Sequence, residues 1–300
     1  MIDKFIALAQ TGKNEWWRYL LGILLTFFSW QVVGVVPFIL LAVFLQSDSS
    51  TESKFNPQIS KFEGVEPIFP YIGLNLAFVC FLIGLYIAVR FIHQRRFITL
   101  VTPSNKINWS RILQGIGVWW ILATLISVIE SIISPENYQL TFNPGSFLIF
   151  VPIALVLTSL QASTEELFFR GYLMQGIGLT TRKAIIPIVV TSILFMLPHL
   201  LNPEVKAGFY LLATYYLLLA LFLAFITVKD NSLELALAAH IGNNLFAVLF
   251  VNYTDSALPS PSVFTIQKID PVYNLVSSLV IFAGFYWFFF IRKTSERRSN

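Results

Sequence analysis

Eight long stretches without Asp, Glu, Lys or Arg constrain this chain more than any other feature: 19–47, 67–89, 112–129, 137–164, 184–203, 207–228, 235–254 and 271–291. A helix needs about 20 apolar residues to cross the hydrocarbon core of a bilayer. All eight reach or approach that length. The 300 residues are 56% hydrophobic and 12% charged, against about 25% charged in soluble domains. A soluble protein of this size leaves roughly a quarter of its unfolded surface exposed, too much to hide so apolar a sequence. The pattern excludes a soluble enzyme and a disordered chain. It predicts an all-α, polytopic membrane protein of about eight transmembrane helices, with the lipid bilayer as its first partner.

Lys and Arg set the orientation, because cytoplasmic loops of membrane proteins carry an excess of them. With the N-terminus inside, eight spans leave 16 basic residues on the cytoplasmic side and 4 opposite: Lys54, Lys61, Lys206 and Lys268. Both termini are therefore expected in the cytoplasm. The basic residues are scattered among loops rather than gathered on one face, which argues against a nucleic-acid partner. Cys80 is the single cysteine, so no intramolecular disulfide can form. The expected organisation is an interfacial helix and three spans over 1–145, four spans over 146–254, and an external linker, a last span and a basic tail over 255–300.

Polar groups inside a span are costly and mark functional sites. The first group, Glu165, Glu166 and Arg170, follows the fourth apolar run without a break. A helix ending near Thr164 would leave these charges in water. The sequence beyond Arg170 stays apolar, however, and predicts a helix reaching about Gly176. Glu166 and Arg170 are then four apart on one face and can pair. Glu165 points about 100° away, without a fixed partner in its own helix. A carboxylate balanced between burial and a nearby guanidinium is a candidate general base.

Two of the three histidines also fall within spans: His199, four residues after Phe195, and His240, four residues before Asn244. His240 and Asn244 share a helix face and suit oxyanion stabilisation. At ~1.5 Å rise per residue, Glu165, His199, His240 and Asn244 reach overlapping depths, so one cavity can hold all four. His93, among Arg90, Arg95 and Arg96, reads as a solvated loop residue. Glu234 reads as a first-turn acid on the helix that carries His240.

Together these clusters resemble the CPBP intramembrane protease family, the CAAX-prenyl-protease and bacteriocin-processing proteins also called the abortive-infection family. Its motifs appear in order as Glu165-Glu166-x-x-x-Arg170, Phe195-x-x-x-His199 and His240-x-x-x-Asn244. The similarity covers about residues 146–254. The resemblance implies a glutamate-dependent membrane endopeptidase with a central catalytic cavity; no cofactor is expected. By that analogy Glu165 and His199 activate a water, His240 and Asn244 stabilise the oxyanion, and Glu166, Arg170 and Phe195 support the site. It also implies a membrane-associated or lipidated peptide substrate, the inner membrane of a prokaryote, and a cavity opening to the cytoplasm. Two alternatives remain at this point. One is a zinc protease with Glu165, His199 and His240 as ligands. The other is a non-catalytic scaffold or a transporter.

Overall fold

The computed structural model describes residues 4–47, 54–56, 61–181 and 183–292. Residues 1–3, most of the 48–66 loop, Arg182 and the basic tail after Arg292 lie outside the described residues, so part of the charge bias rests on sequence alone.

The chain is a polytopic helical membrane protein. Among the described residues six helices are long and apolar enough to cross a bilayer: Trp16–Leu45, Ile68–Ile92, Trp109–Ile133, Pro144–Thr180, Phe209–Asp230 and Pro271–Arg292. Two shorter apolar helices, Ile185–His199 and Glu234–Leu249, complete the bundle. In chain order these eight are α1 (Trp16–Leu45), α2 (Ile68–Ile92), α3 (Trp109–Ile133), α4 (Pro144–Thr180), α5 (Ile185–His199), α6 (Phe209–Asp230), α7 (Glu234–Leu249) and α8 (Pro271–Arg292).

Two of the eight helices fall short of a full span by length. With 15 and 16 residues, α5 and α7 extend ~22–24 Å, less than the ~30 Å hydrocarbon thickness. Pro198 and Pro203 bracket the end of α5. Beyond Leu249 the chain turns extended, and Val251–Tyr253 forms a strand where the sequence predicted helix. That strand pairs parallel with Phe264–Ile266, which pairs antiparallel with Tyr138–Leu140. This small sheet ties the α3–α4 connection to the α7–α8 connection, which supplies two of its strands. A separate two-stranded ribbon joins Lys54–Asn56 to Lys61–Glu63.

α7 is the axis of the bundle. It packs against α3, α4 and α6 and is buried through most of its length, the mark of a helix enclosed on all sides. Ala236, Ala238, Ala239 and Gly242 make this possible, because small residues let membrane helices approach closely. A Cβ on Gly115 of α3 would collide with the Ala238 Cβ, so that crossing requires glycine. Glu234 stands in the first turn of α7, as expected. Its Oε1 also accepts the Asn108 N–H at 2.7 Å, tying α7 to the start of α3.

His93 is not solvated. It is fully buried, with Nδ1 2.7 Å from the Lys13 carbonyl and Nε2 2.9 Å from the Tyr172 hydroxyl. The sequence could not show that the N-terminal segment folds back over the end of α2. Burial lowers the pKa of the His93 imidazole.

Candidate active site

α4 continues through the charged cluster, as the apolar sequence after Arg170 predicted. The helix widens into a π-helical segment at Leu167–Leu173, and such segments often occur at functional sites. Glu166 and Arg170 are fully buried and paired at 2.7 Å. Arg170, counted with the cytoplasmic charges in the sequence, therefore belongs to the interior. Its Nη2 also donates to the Ala220 carbonyl at 3.1 Å. A buried charge persists only when paired and hydrogen-bonded, and Arg170 meets both conditions.

The same Glu166 Oε1 lies 2.8 Å from His240 Nδ1. Glu166 thereby fixes the imidazole so that the other nitrogen, Nε2, faces Glu165 Oε2 at 3.6 Å. Asn244 Nδ2 approaches that Nε2 at 3.4 Å, and Asn243 Nδ2 donates to Asn244 Oδ1 at 3.0 Å. Gln161, one turn before Glu165, reaches its Oε1 at 3.5 Å. Among the described residues neither Glu165 Oε2 nor Glu166 Oε2 accepts a hydrogen bond. Glu166, bound to both Arg170 and His240, is thus the acid that orients, and Glu165, held through Oε1 by Gln161 alone, is the acid that lines the cavity.

His199 joins through a stack of rings. The Arg170 guanidinium lies 4.3 Å from the Phe195 ring centroid. Phe195 stacks on His199 at 4.4 Å, and Tyr216 of α6 covers His199 at 4.8 Å. His199 Nδ1 donates to the Phe195 carbonyl at 2.8 Å, which leaves Nε2 as the acceptor nitrogen. The Phe of the second motif is thus both the backbone anchor and the packing partner of its histidine. No hydrogen bond or ion pair joins His199 to Glu165. Both line a cavity of about 650 Å³, together with His240, Asn244 and Phe195.

Among the described residues no group of three or more His, Cys, Asp and Glu side chains is arranged to hold a metal ion, so the zinc alternative is not favoured. The cavity runs towards the other end from the one expected. Asn202, Glu204, Asn252, Tyr253, Ser256, Leu258 and Ile269 line it, whereas no residue of the 97–110 connector does. The charge bias assigns those lining residues to the external side. His199, near the end of α5, is the part of the sequence that pointed this way.

Sequence reasoning missed the contribution of the first two spans. Trp30, Phe38, Phe78 and Phe81 form an apolar wall of the cavity, although α1 and α2 carry no motif. It also missed Glu204 and Tyr216. Gln161 was legible, since it lies four residues before Glu165 on the same helix face.

The membrane bundle thus buries two carboxylates, a guanidinium and the His240 imidazole beside one cavity, with His199 half-buried on its wall. Comparison with known proteins gives the class. Residues 145–246 match the type II CAAX prenyl endopeptidase Rce1-like family. Over 299 residues the chain is 30% identical to the uncharacterized protein YyaK of Bacillus subtilis (strain 168), covering 96% of this chain and 97% of that one. No solved structure matches it. The chain belongs to the Rce1-like family of CAAX-type membrane endopeptidases.

Proposed function

We infer that this protein is an intramembrane endopeptidase in which Glu165 is the general base for attack of water on a peptide bond. Glu165 takes the proton as the water oxygen bonds to the carbonyl carbon. His199 Nε2, a free acceptor in the same cavity, assists in aligning that water. Asn244 Nδ2 and His240, oriented through Nδ1 by Glu166, stabilise the tetrahedral oxyanion. Collapse of the tetrahedral species breaks the C–N bond, and the proton held by Glu165 passes to the leaving amine. Glu166 and Arg170 act through His240 and Phe195 rather than on the substrate.

The observation that carries this reading is the convergence of Glu165 and His240, from two different helices, at 3.6 Å on a 650 Å³ cavity. The wall of Trp30, Phe38, Phe78 and Phe81 suits a membrane-associated or lipidated peptide. The reading requires no cofactor. The charge bias supports both termini in the cytoplasm, and the resemblance supports the inner membrane of a prokaryote. A test is the comparison of new protein termini in membranes from cells carrying the wild-type protein or Glu165→Gln. Termini present only with the wild-type protein are expected, and identical sets would refute the reading.

A further inference from the structure

The cavity holds a second acid that the mechanism does not use. Glu204 lies in the short 3₁₀ turn Pro203–Ala207 after α5 and lines the cavity with Glu165 and His199. Three neutral donors hold it. Oε1 accepts from the Tyr216 hydroxyl at 2.8 Å and from Asn202 Nδ2 at 3.2 Å, and Oε2 accepts the Ala257 N–H at 3.1 Å. No Lys or Arg among the described residues pairs with it, and none of the described residues lining the cavity is Lys or Arg. A carboxylate has about four acceptor sites, so Glu204 retains capacity for one more donor. It is a fixed negative charge on a largely apolar wall, where attraction to a cation exceeds its value in water. The same charge repels an acidic ligand.

Its position relates it to the reacting groups. The Tyr216 ring covers His199, and the hydroxyl of that tyrosine reaches Glu204. One tyrosine therefore separates the acid from His199, roughly three residues of extended peptide.

We propose that Glu204 is a specificity-determining residue that receives a Lys or Arg side chain of the substrate about three residues from the bond cut. This rests on the endopeptidase reading of the same cavity and names its substrate class: an internal, cation-bearing peptide segment. A free C-terminal carboxylate would meet Glu204 and Glu165 with no Lys or Arg among the described lining residues to receive it.

The test uses the full-length protein in nanodiscs. The probes are N-acetylated, C-amidated, fluorescent peptides with one apolar segment, identical except for Lys, Gln or Glu at one position scanned along the chain. Binding is measured on Glu165→Gln protein, where chemistry is removed, and cleavage on protein with Glu165 intact. In one register Lys is expected to bind about tenfold more tightly than Gln, as one charge-assisted hydrogen bond would give, and Glu more weakly than either. Glu204→Gln should bring the Lys/Gln ratio to about one, and Glu204→Asp, which keeps the charge, should retain it. Equal affinity in every register, no binding by any peptide, or a ratio that survives Glu204→Gln would overturn the proposal. A preference seen only with non-acetylated peptides would overturn it too, because the cation would be the terminal amine. Peptides bound with the expected preference but never cleaved would place the failure in the hydrolase reading instead.

Discussion

α4 carries two buried polar clusters side by side, and they are built differently. The first, Gln161 to Arg170, is ionic: Glu165 and Glu166 meet His240 from α7, and Arg170 pairs with Glu166. The second, Tyr172 to Gln175, is tied to the N-terminal segment and the connector after α2. Tyr172 meets His93, and Gln175 accepts from Arg95 Nη1 at 2.8 Å while donating to the Thr99 carbonyl at 2.9 Å. Both clusters are buried. The first supplies Gln161 and Glu165 to a 650 Å³ cavity, whereas none of the residues of the second lines it. Polar burial alone therefore does not separate the two. The proposed base rests on an acid that lines the cavity, and the second cluster reads as the clasp that holds the N-terminal segment on the bundle.

The largest expected difference between the two lies in stability. Arg170→Met would leave Glu166 buried without its guanidinium, at a cost of about 3–5 kcal/mol. Arg95→Met removes one hydrogen bond and leaves the Gln175 oxygen unmet, at about 1–3 kcal/mol. Thermal unfolding in one detergent compares the pair. Equal losses would mean that the ionic cluster is no more demanding than the clasp.

Activity separates the clusters next. His240→Gln is expected to slow cleavage about 10²–10³-fold while the protein remains folded. Tyr172→Phe is expected to leave the rate near wild type and to cost about 0.5–1.5 kcal/mol of stability. A rate loss in Tyr172→Phe as large as that in His240→Gln would merge the two regions into one functional unit.

The smallest effect is a pH dependence of the clasp. Burial depresses the pKa of His93, so the folded state binds its proton less readily than the unfolded state, whose imidazole titrates near ~6.5. The stabilisation is complete above that value and declines as pH falls through and below it. His93→Gln should flatten this part of the stability profile relative to wild type. An unchanged slope would show that His93 does not titrate on unfolding.

Much of the ionic cluster was legible in the sequence because its logic is local. The four-residue spacings of Glu166 to Arg170, Phe195 to His199 and His240 to Asn244 each fix a shared face. Expensive groups on otherwise apolar helices then point to one place. The contact of His240 with Glu166 was not legible, because it depends on the rotation of α7 against α4. The shortness of α5 and α7 was hidden because 200–203 and 251–254 are apolar enough to read as membrane. They end as a turn and a strand once Pro203 and the partner strand Phe264–Ile266 intervene. His93 was misread for a related reason: its neighbours in sequence are basic, but its neighbours in space are Lys13, Tyr19 and Tyr172. The aromatic wall from α1 and α2 had no signal in any motif, since Trp30 and Phe81 resemble every other lipid-facing aromatic until the helices are assembled.

The role of Glu165 is tested most directly by a single-turnover cleavage rate. Purified wild-type and Glu165→Gln proteins of equal thermal stability would be compared on one peptide whose cut site is known from the wild-type protein. A loss of about 10²–10⁴-fold, the usual contribution of a general base, is predicted with peptide binding retained. A rate for Glu165→Gln within a few-fold of wild type would contradict the assignment of that carboxylate as the base.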